Sequence, residues 1–406
     1  MNKYAQPLQG FDPRRLQRID EVIARNYVET GAIPGALITI WRRGELVWRS
    51  TSGLIDIARG LPVREDSIFR LYSMTKPITA VALLMLMEEG QIALDDLVSR
   101  HIPGFADLGI YAGGSMGDFQ TTPNPRPMKV VDLLRHTSGL TYGFLNRTEV
   151  DAAYRKLKIN DFQTPGGLSG MINQLAGLPL EFSPGTQWNY SVSIDVMGYL
   201  VEKLSGMSFG EFLRTRLFEP LGMTDTAFWV PAEKMARFPV AHAINPADGL
   251  RVLFDRPGDD SRWARAPAIP SGAGGLVSTA DDYMRFARML LSGGRFGNER
   301  ILSRKAIELM TTDFLTPAQR DMPFLGWDMW GPRGFGLGVS IIDRPGRQGG
   351  LGSIGRYGWG GAFGTAWSND PKEDMAAIMM VQLLVGSATP AMETDFLNLV
   401  YQAIED

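Results

Sequence analysis

One serine and one lysine three positions apart, in Ser73-Met74-Thr75-Lys76, form the only Ser-x-x-Lys of this 406-residue chain. On a helix, residues i and i+3 share a face with Cβ atoms about 5–6 Å apart, so the amine can reach the hydroxyl. Pro77 is compatible only with a first helical turn, which predicts a helix starting at about Ser73. The serine then sits at the positive end of a helix dipole, where developing negative charge is stabilised. The chemistry this spacing suggests is nucleophilic attack by a serine whose proton goes to an amine. A lysine of ordinary pKa about 10.4 is charged at pH 7, and using it as a base costs about 4.6 kcal/mol unless its surroundings lower that value. A tyrosine faces about 4 kcal/mol and can share the proton transfer. Tyr190, in Trp188-Asn189-Tyr190-Ser191-Val192, supplies one between the turn at Ser183-Pro184-Gly185 and a helical run from Ile194 to Leu204.

Composition narrows the other chemistries. With no cysteine there is no disulfide framework, thiolate zinc site, iron–sulfur cluster or cysteine nucleophile. The three histidines, His101, His136 and His242, stand far apart, so no metal site is expected and each reads as structural or superficial. A net charge of −3 with scattered Lys and Arg gives no footprint for nucleic acid. Gly113-Gly114-Ser115-Met116-Gly117 matches Gly-x-Ser-x-Gly in letters alone, because Tyr111 leads in and Pro123, Pro125 and Pro127 follow, which reads as loop rather than strand-turn-helix. Gly334–Gly338 has alternating glycines without a dinucleotide-binding context. No cofactor is expected.

The elements that must hold the pair are legible in outline. Leu16, Ile19, Ile23 and Tyr27 give helical spacing over Asp12–Glu29, and Ala36–Trp41 and Leu46–Ser52 read as a hairpin around Gly44. Thr75–Glu89 is apolar on nearly all sides, which predicts a buried helix. Residues 91–229 read as helical pieces broken by Pro- and Gly-rich loops, Tyr111–Pro127 among them, and Arg251–Ala273 reads as irregular. Ser278–Leu291 follows as a helix, then three extended segments, Phe335–Asp343, Tyr357–Trp367 and Met375–Leu384, joined by turns at Arg344-Pro345-Gly346 and Asn369-Asp370-Pro371, and a closing helix over Ala391–Ile404. The expected fold is α+β: one antiparallel β-sheet sandwiched by helices, built from residues 1–90 and 230–406, with a mostly helical domain of residues 91–229 inserted and the site between them. The polar start of the chain lacks the apolar stretch of a signal peptide and no apolar run reaches the about 20 residues of a membrane span, so a soluble, cytoplasmic protein is expected.

In this order of motifs the sequence resembles the serine β-lactamase and penicillin-binding-protein superfamily, specifically the class C β-lactamase-like esterases called family VIII carboxylesterases. The likeness spans Phe69–Lys76, Leu133–Leu140, Gly185–Gly206, Phe218–Met223, Gly274–Asp282 and Trp359–Gly364. It implies Ser73 as nucleophile, Lys76 as partner in proton transfer, Tyr190 as the tyrosine of the family's Tyr-x-Asn element, and the backbone N–H groups of Ser73 and Ala362 as an oxyanion hole. Trp359-Gly360-Gly361 falls where penicillin-recognising relatives carry Lys-Thr-Gly, and Val192 replaces the asparagine of Tyr-x-Asn. Both departures remove polar recognition of a β-lactam and suit an uncharged ester. The resemblance therefore implies a small-molecule ester substrate, an acyl-enzyme on Ser73, and substrate contacts from Trp359, Gly360, Gly361, Tyr142 and Val192. Tyr142, Phe144, Trp327 and Trp330 are read as either acyl-pocket walls or packing. The same residues would also serve a β-lactamase, a D-amino-acid peptidase or amidase, an acyltransferase or a penicillin-binding module without turnover.

Overall fold

A two-residue turn, Arg43-Gly44 with both φ positive, joins strands β1 (Gly35–Arg42) and β2 (Glu45–Asp56) in the tight geometry that matches strand twist. A computed structural model describes residues 8–245, 247–320, 330–344, 350–384 and 390–406 of the chain. Strands β3 (Leu61–Pro62), β4 (Arg333–Phe335), β5 (Ser340–Ile342), β6 (Tyr357–Gly360), β7 (Ala366–Asp370) and β8 (Met375–Val381) complete an eight-stranded sheet. Its order is β4-β5-β6-β7-β8-β1-β2-β3, antiparallel at every step. The early and late parts of the chain meet at the β1–β8 pair, from Ala36 opposite Val381 to Arg42 opposite Met375.

The seven longest helices among the described residues are α1 (Pro13–Ile23), α2 (Thr75–Glu88), α3 (Glu149–Leu157), α4 (Gly167–Leu175), α5 (Ser193–Ser205), α6 (Ala280–Leu291) and α7 (Pro390–Tyr401). Two-residue periodicity divides the sheet's faces. Ile38, Ile40, Ala377, Met379 and Val381 pack with Leu16, Ile19 and Ile23 of α1 and Phe396 and Val400 of α7. Leu37, Ala376, Ile378 and Met380 face a larger core with Tyr283 and Phe286 of α6, the whole apolar stretch of α2 and the helical region beyond it. The antiparallel sheet between helical layers is the expected architecture.

Several local expectations change. Phe335–Asp343 and Tyr357–Trp367 are each a hairpin rather than one strand, because the glycine-bearing turns at residues 336–339 and 361–365 reverse the chain. Tyr111–Pro127 is not simply loop: Ile110–Gly113 pairs with Gln120–Thr122, and Ser115 lies exposed in the turn. Arg251–Asp255, within the supposed irregular stretch, pairs with Ala241–Ile244. The turn at Arg344-Pro345-Gly346 lies partly outside the described residues. Among the described residues no helix is long and apolar enough to cross a membrane.

Candidate active site

Ser73 lies in a short 3-10 turn, Tyr72–Met74, that runs directly into α2 at Thr75, so the regular helix starts two residues later than its serine. Pro77 falls in the first α-helical turn, where its missing N–H breaks no helical bond. Tyr72, immediately before the serine, adopts φ +46°, a left-handed conformation rare for a tyrosine and held by its surroundings. Its ring stacks on Phe363 at 4.5 Å and tilts against Trp263 at 6.0 Å.

Lys76 Nζ is 3.0 Å from Ser73 Oγ and donates to the Ala273 carbonyl at 2.7 Å. Tyr190 OH donates to Ser73 Oγ at 2.6 Å. The amine also lies over the Tyr190 ring, 4.4 Å from its centroid, and 5.6 Å from that of Tyr142. Lys76 is buried, and the desolvation of its ammonium lowers its pKa to about 7, with the negative charge of Asp195 pulling the other way. The energetic obstacle noted from sequence is thus removed by burial. Tyr190 moves in the opposite direction: burial pushes its phenol above the ordinary value despite hydrogen bonds with Ser73 and Trp359. It therefore remains a protonated donor at neutral pH.

Three stretches distant in sequence clamp this pair. Thr79 Oγ1 donates to Gly272 O at 2.7 Å and Leu276 N to Thr75 Oγ1 at 3.2 Å, lacing residues 272–276 along α2. Asn189 N donates to His136 O at 2.8 Å and Val192 N to Thr141 O at 3.2 Å, which hold the Tyr190 segment against residues 136–141. The β6–β7 turn closes the third side. Gly361 N donates to Thr365 O, Gly364 N to Gly361 O, and Thr365 Oγ1 to Leu71 O at 3.2 Å, two residues before Ser73. A Cβ on Gly361 would collide with Thr365 Oγ1 and Leu71 O, so only glycine allows this approach.

Ser73, Lys76 and Tyr190 open into a cavity of about 1190 Å³, whose wall includes Tyr142, Phe144, Trp359, Gly360, Gly361 and Ala362. Trp359 Nε1 points to Tyr190 OH at 3.4 Å, and its ring packs edge-on against Phe335. Val192 is the exception among the expected substrate contacts. It is fully buried and absent from the cavity wall, because it forms the cap of α5 and its side chain faces the apolar core. Trp330 is also packing, edge-on to Trp188 at 4.7 Å, whereas Trp327 lies outside the described residues.

Among the described residues, the side-chain hydrogen bonds of Ser73 Oγ are with Lys76 and Tyr190 and not with a histidine. His136 is buried beneath Tyr190, ring centroids 4.9 Å apart, with Nδ1 3.2 Å from Ser191 Oγ. Burial and the Lys76 charge hold its pKa well below the ordinary value, so it is a neutral ring at pH 7. His101 lies near Asp96, and His242 is half-buried in the Ala241–Ile244 strand. Sequence reasoning did not single out Asp195. On α5, fully buried, it accepts from Ser271 Oγ at 2.6 Å and Ala273 N at 3.1 Å, both through Oδ1. Its signal was available: an acidic residue five positions beyond Tyr190, flanked by Ile194, Val196 and Met197 in the first turns of the helical run.

The sequence model of the family described as Beta-lactamase matches residues 21–402. The chain is 36% identical over 361 residues to Protein Rv1367c of Mycobacterium tuberculosis, covering 88% of each. It is 32% identical over 379 residues to Esterase EstB of Burkholderia gladioli, covering 89% of each. Among solved structures, EstCE1, titled a hydrolase with promiscuous acyltransferase activity, superposes with a TM-score of 0.79 at 24% identity over 96% of this chain and 99% of that one.

Proposed function

The chain belongs to the beta-lactamase family, as a serine hydrolase with esterase relatives, and from that premise we propose that it hydrolyses short-chain carboxylic esters through an acyl-enzyme on Ser73. The observation that carries the reading is the contact of one hydroxyl with two proton carriers of opposite tuning. Ser73 Oγ lies within hydrogen-bond reach of a lysine that gives up its proton near pH 7 and a tyrosine that keeps its own.

The roles follow from those protonation states. With Lys76 neutral, the Ser73 hydroxyl donates to Nζ while accepting from Tyr190, and Nζ keeps its bond to the Ala273 carbonyl. Ser73 Oγ attacks the ester carbonyl carbon as its proton passes to Lys76. The oxyanion forms between the backbone N–H groups of Ser73 and Ala362, two fixed donors worth a few kcal/mol to the transition state. The C–O bond breaks as the leaving alkoxide takes a proton from the Tyr190–Lys76 pair. Water, deprotonated by the same pair, then attacks the acyl-enzyme and frees the acid and Ser73.

Arg155, Lys158, Arg262, Arg333 and Arg356 also line the cavity, and the substrate class is read from the aromatic part of the wall. Trp359 places an indole where a cation would hold a β-lactam carboxylate, and Tyr142 and Phe144 stack at 4.8 Å beside the nucleophile. An uncharged ester suits such a wall, with β-lactam hydrolysis at most a weak side activity. The test is fluorophosphonate labelling with peptide mapping, followed by turnover of p-nitrophenyl acetate and butyrate. Labelling is expected on Ser73 and steady-state turnover is expected to vanish in Ser73→Ala. Full activity in that variant, or an acylation burst without steady-state release in the native chain, overturns the proposal.

A further inference from the structure

A carboxylate with no exposed surface needs a compensating proton, cation or full set of hydrogen bonds, because an unpaired buried charge is strongly unfavourable. Asp195 has one oxygen satisfied twice, by Ser271 Oγ and Ala273 N, while Oδ2 is buried with no hydrogen-bond partner among the described residues. The cation that faces it is Lys76. Ala273 links the two: its N–H is held by Asp195 and its carbonyl receives Lys76 Nζ. Gly272, next to it, is packed so tightly that a Cβ would meet Ile194 O at 2.9 Å and Thr79 Cγ2 at 3.0 Å, so this peptide segment cannot shift freely.

We propose that Asp195 is a positioning residue for Lys76, clamping the Ala273 carbonyl that aims the amine at Ser73 and opposing the amine's desolvation with its negative charge. This rests on the reading of Lys76 as the base. Without the carboxylate, the low-dielectric site would hold the amine neutral to still lower pH. The carboxylate thus sets where in the pH scale the base becomes available, which a purely packing role would not do. The other titratable groups turned toward the pair are Tyr142, Tyr190 and His136. Burial raises both phenols and lowers the imidazole, so none of the three changes charge in the neutral range. Residues 271–274 carry no titratable side chain, and Tyr283 of α6, whose hydroxyl reaches Met74 O, is likewise held protonated by burial.

The experiment is the pH profile of kcat/KM for p-nitrophenyl butyrate in Asp195→Asn, with a melting curve at each pH. Asparagine keeps an acceptor for Ser271 and Ala273 but removes the charge. The acid limb is expected to move to lower pH by about one unit, the effect of losing one nearby opposite charge. Burial raises the Asp195 carboxyl's pKa and the Ser271 hydrogen bond opposes that rise, so Ser271→Ala lets the carboxyl take up a proton more readily; it is expected to move the limb the same way by less and covers the case in which Asp195→Asn does not fold. An acid limb at the native pH in folded Asp195→Asn, or in Ser271→Ala where only that variant folds, overturns the proposal whatever the plateau rate. Should Lys76→Ala retain native activity, it is the assignment of the base that fails, a result distinct from an unmoved limb.

Discussion

Tyr190 donates a 2.6 Å hydrogen bond to the hydroxyl oxygen of Ser73 across 117 residues of sequence. The phenol arrives there on a segment tied by backbone bonds to residues 136–141, and its ring is packed between His136, Tyr142 and Trp359. That packing does not depend on the hydroxyl, which makes the hydroxyl's contribution separable from the fold.

Tyr190→Phe is expected to lower kcat on p-nitrophenyl butyrate by about 10²- to 10⁴-fold, the usual contribution of a positioned proton donor, with a smaller change in KM. An unchanged melting temperature would show that the ring's packing survives. A variant with native kcat would remove Tyr190 from the proton path.

Activity should rise with pH through about 7 and then level, because Lys76 acts when deprotonated and burial brings its loss of the proton to about pH 7. A lysine of ordinary pKa would place the rise at alkaline pH, away from a histidine-like inflection near about 6.5. Burial erases that distinction, so the value of the inflection cannot identify the group. Substitution can: His136→Asn is expected to leave the limb in place, since His136 is already neutral there, whereas Lys76→Ala is expected to abolish it.

The same burial couples Lys76 to stability. Its folded pKa is lowered to about 7 from an ordinary value of 10.5, so between these limits the unfolded chain carries a proton that the native chain lacks. Stability therefore rises with pH across that window, by about 1 kcal/mol per unit from this group. Urea midpoints measured at pH 7.5 and 9 should rise more steeply in the native chain than in Lys76→Met. Parallel slopes would show that Lys76 remains charged in the folded protein.

Gly361→Ala is expected to lower kcat/KM by at least about tenfold and to cost about 1–3 kcal/mol of stability. Its methyl has no room beside Leu71 O and Thr365 Oγ1, so the turn that carries Ala362 must retreat from Ser73. Kinetics combined with denaturant unfolding checks both parts.

Ser115→Ala is expected to leave ester turnover within about twofold of native, as for most exposed substitutions. Ser115 stands exposed at the tip of a hairpin and is not part of the cavity wall. Loss of fluorophosphonate labelling in that variant would contradict the assignment of Ser73.

The sequence alone determined the parts of this protein that depend on near neighbours. Ser73 and Lys76 are brought together by helix geometry, α1 and α2 by their apolar spacing, and the β1–β2 hairpin by its glycine turn. The absence of cysteine and of clustered histidines directed attention to a lysine and a tyrosine. What the sequence could not determine was everything set by surroundings. Phe335–Asp343 and Tyr357–Trp367 look extended throughout, since their reversals are made by glycines whose turn geometry depends on the neighbouring strands. Val192 reads as a substrate contact by position in its motif, yet the α5 cap turns it into the core. The ordinary charge of Lys76 is a property of lysine in water. Its loss of a proton at about pH 7 rather than near 10.5 exists only because α5, residues 271–274 and the Tyr190 segment close around it, and the same closure makes Asp195, an unremarked helix residue in the sequence, the charge that faces it.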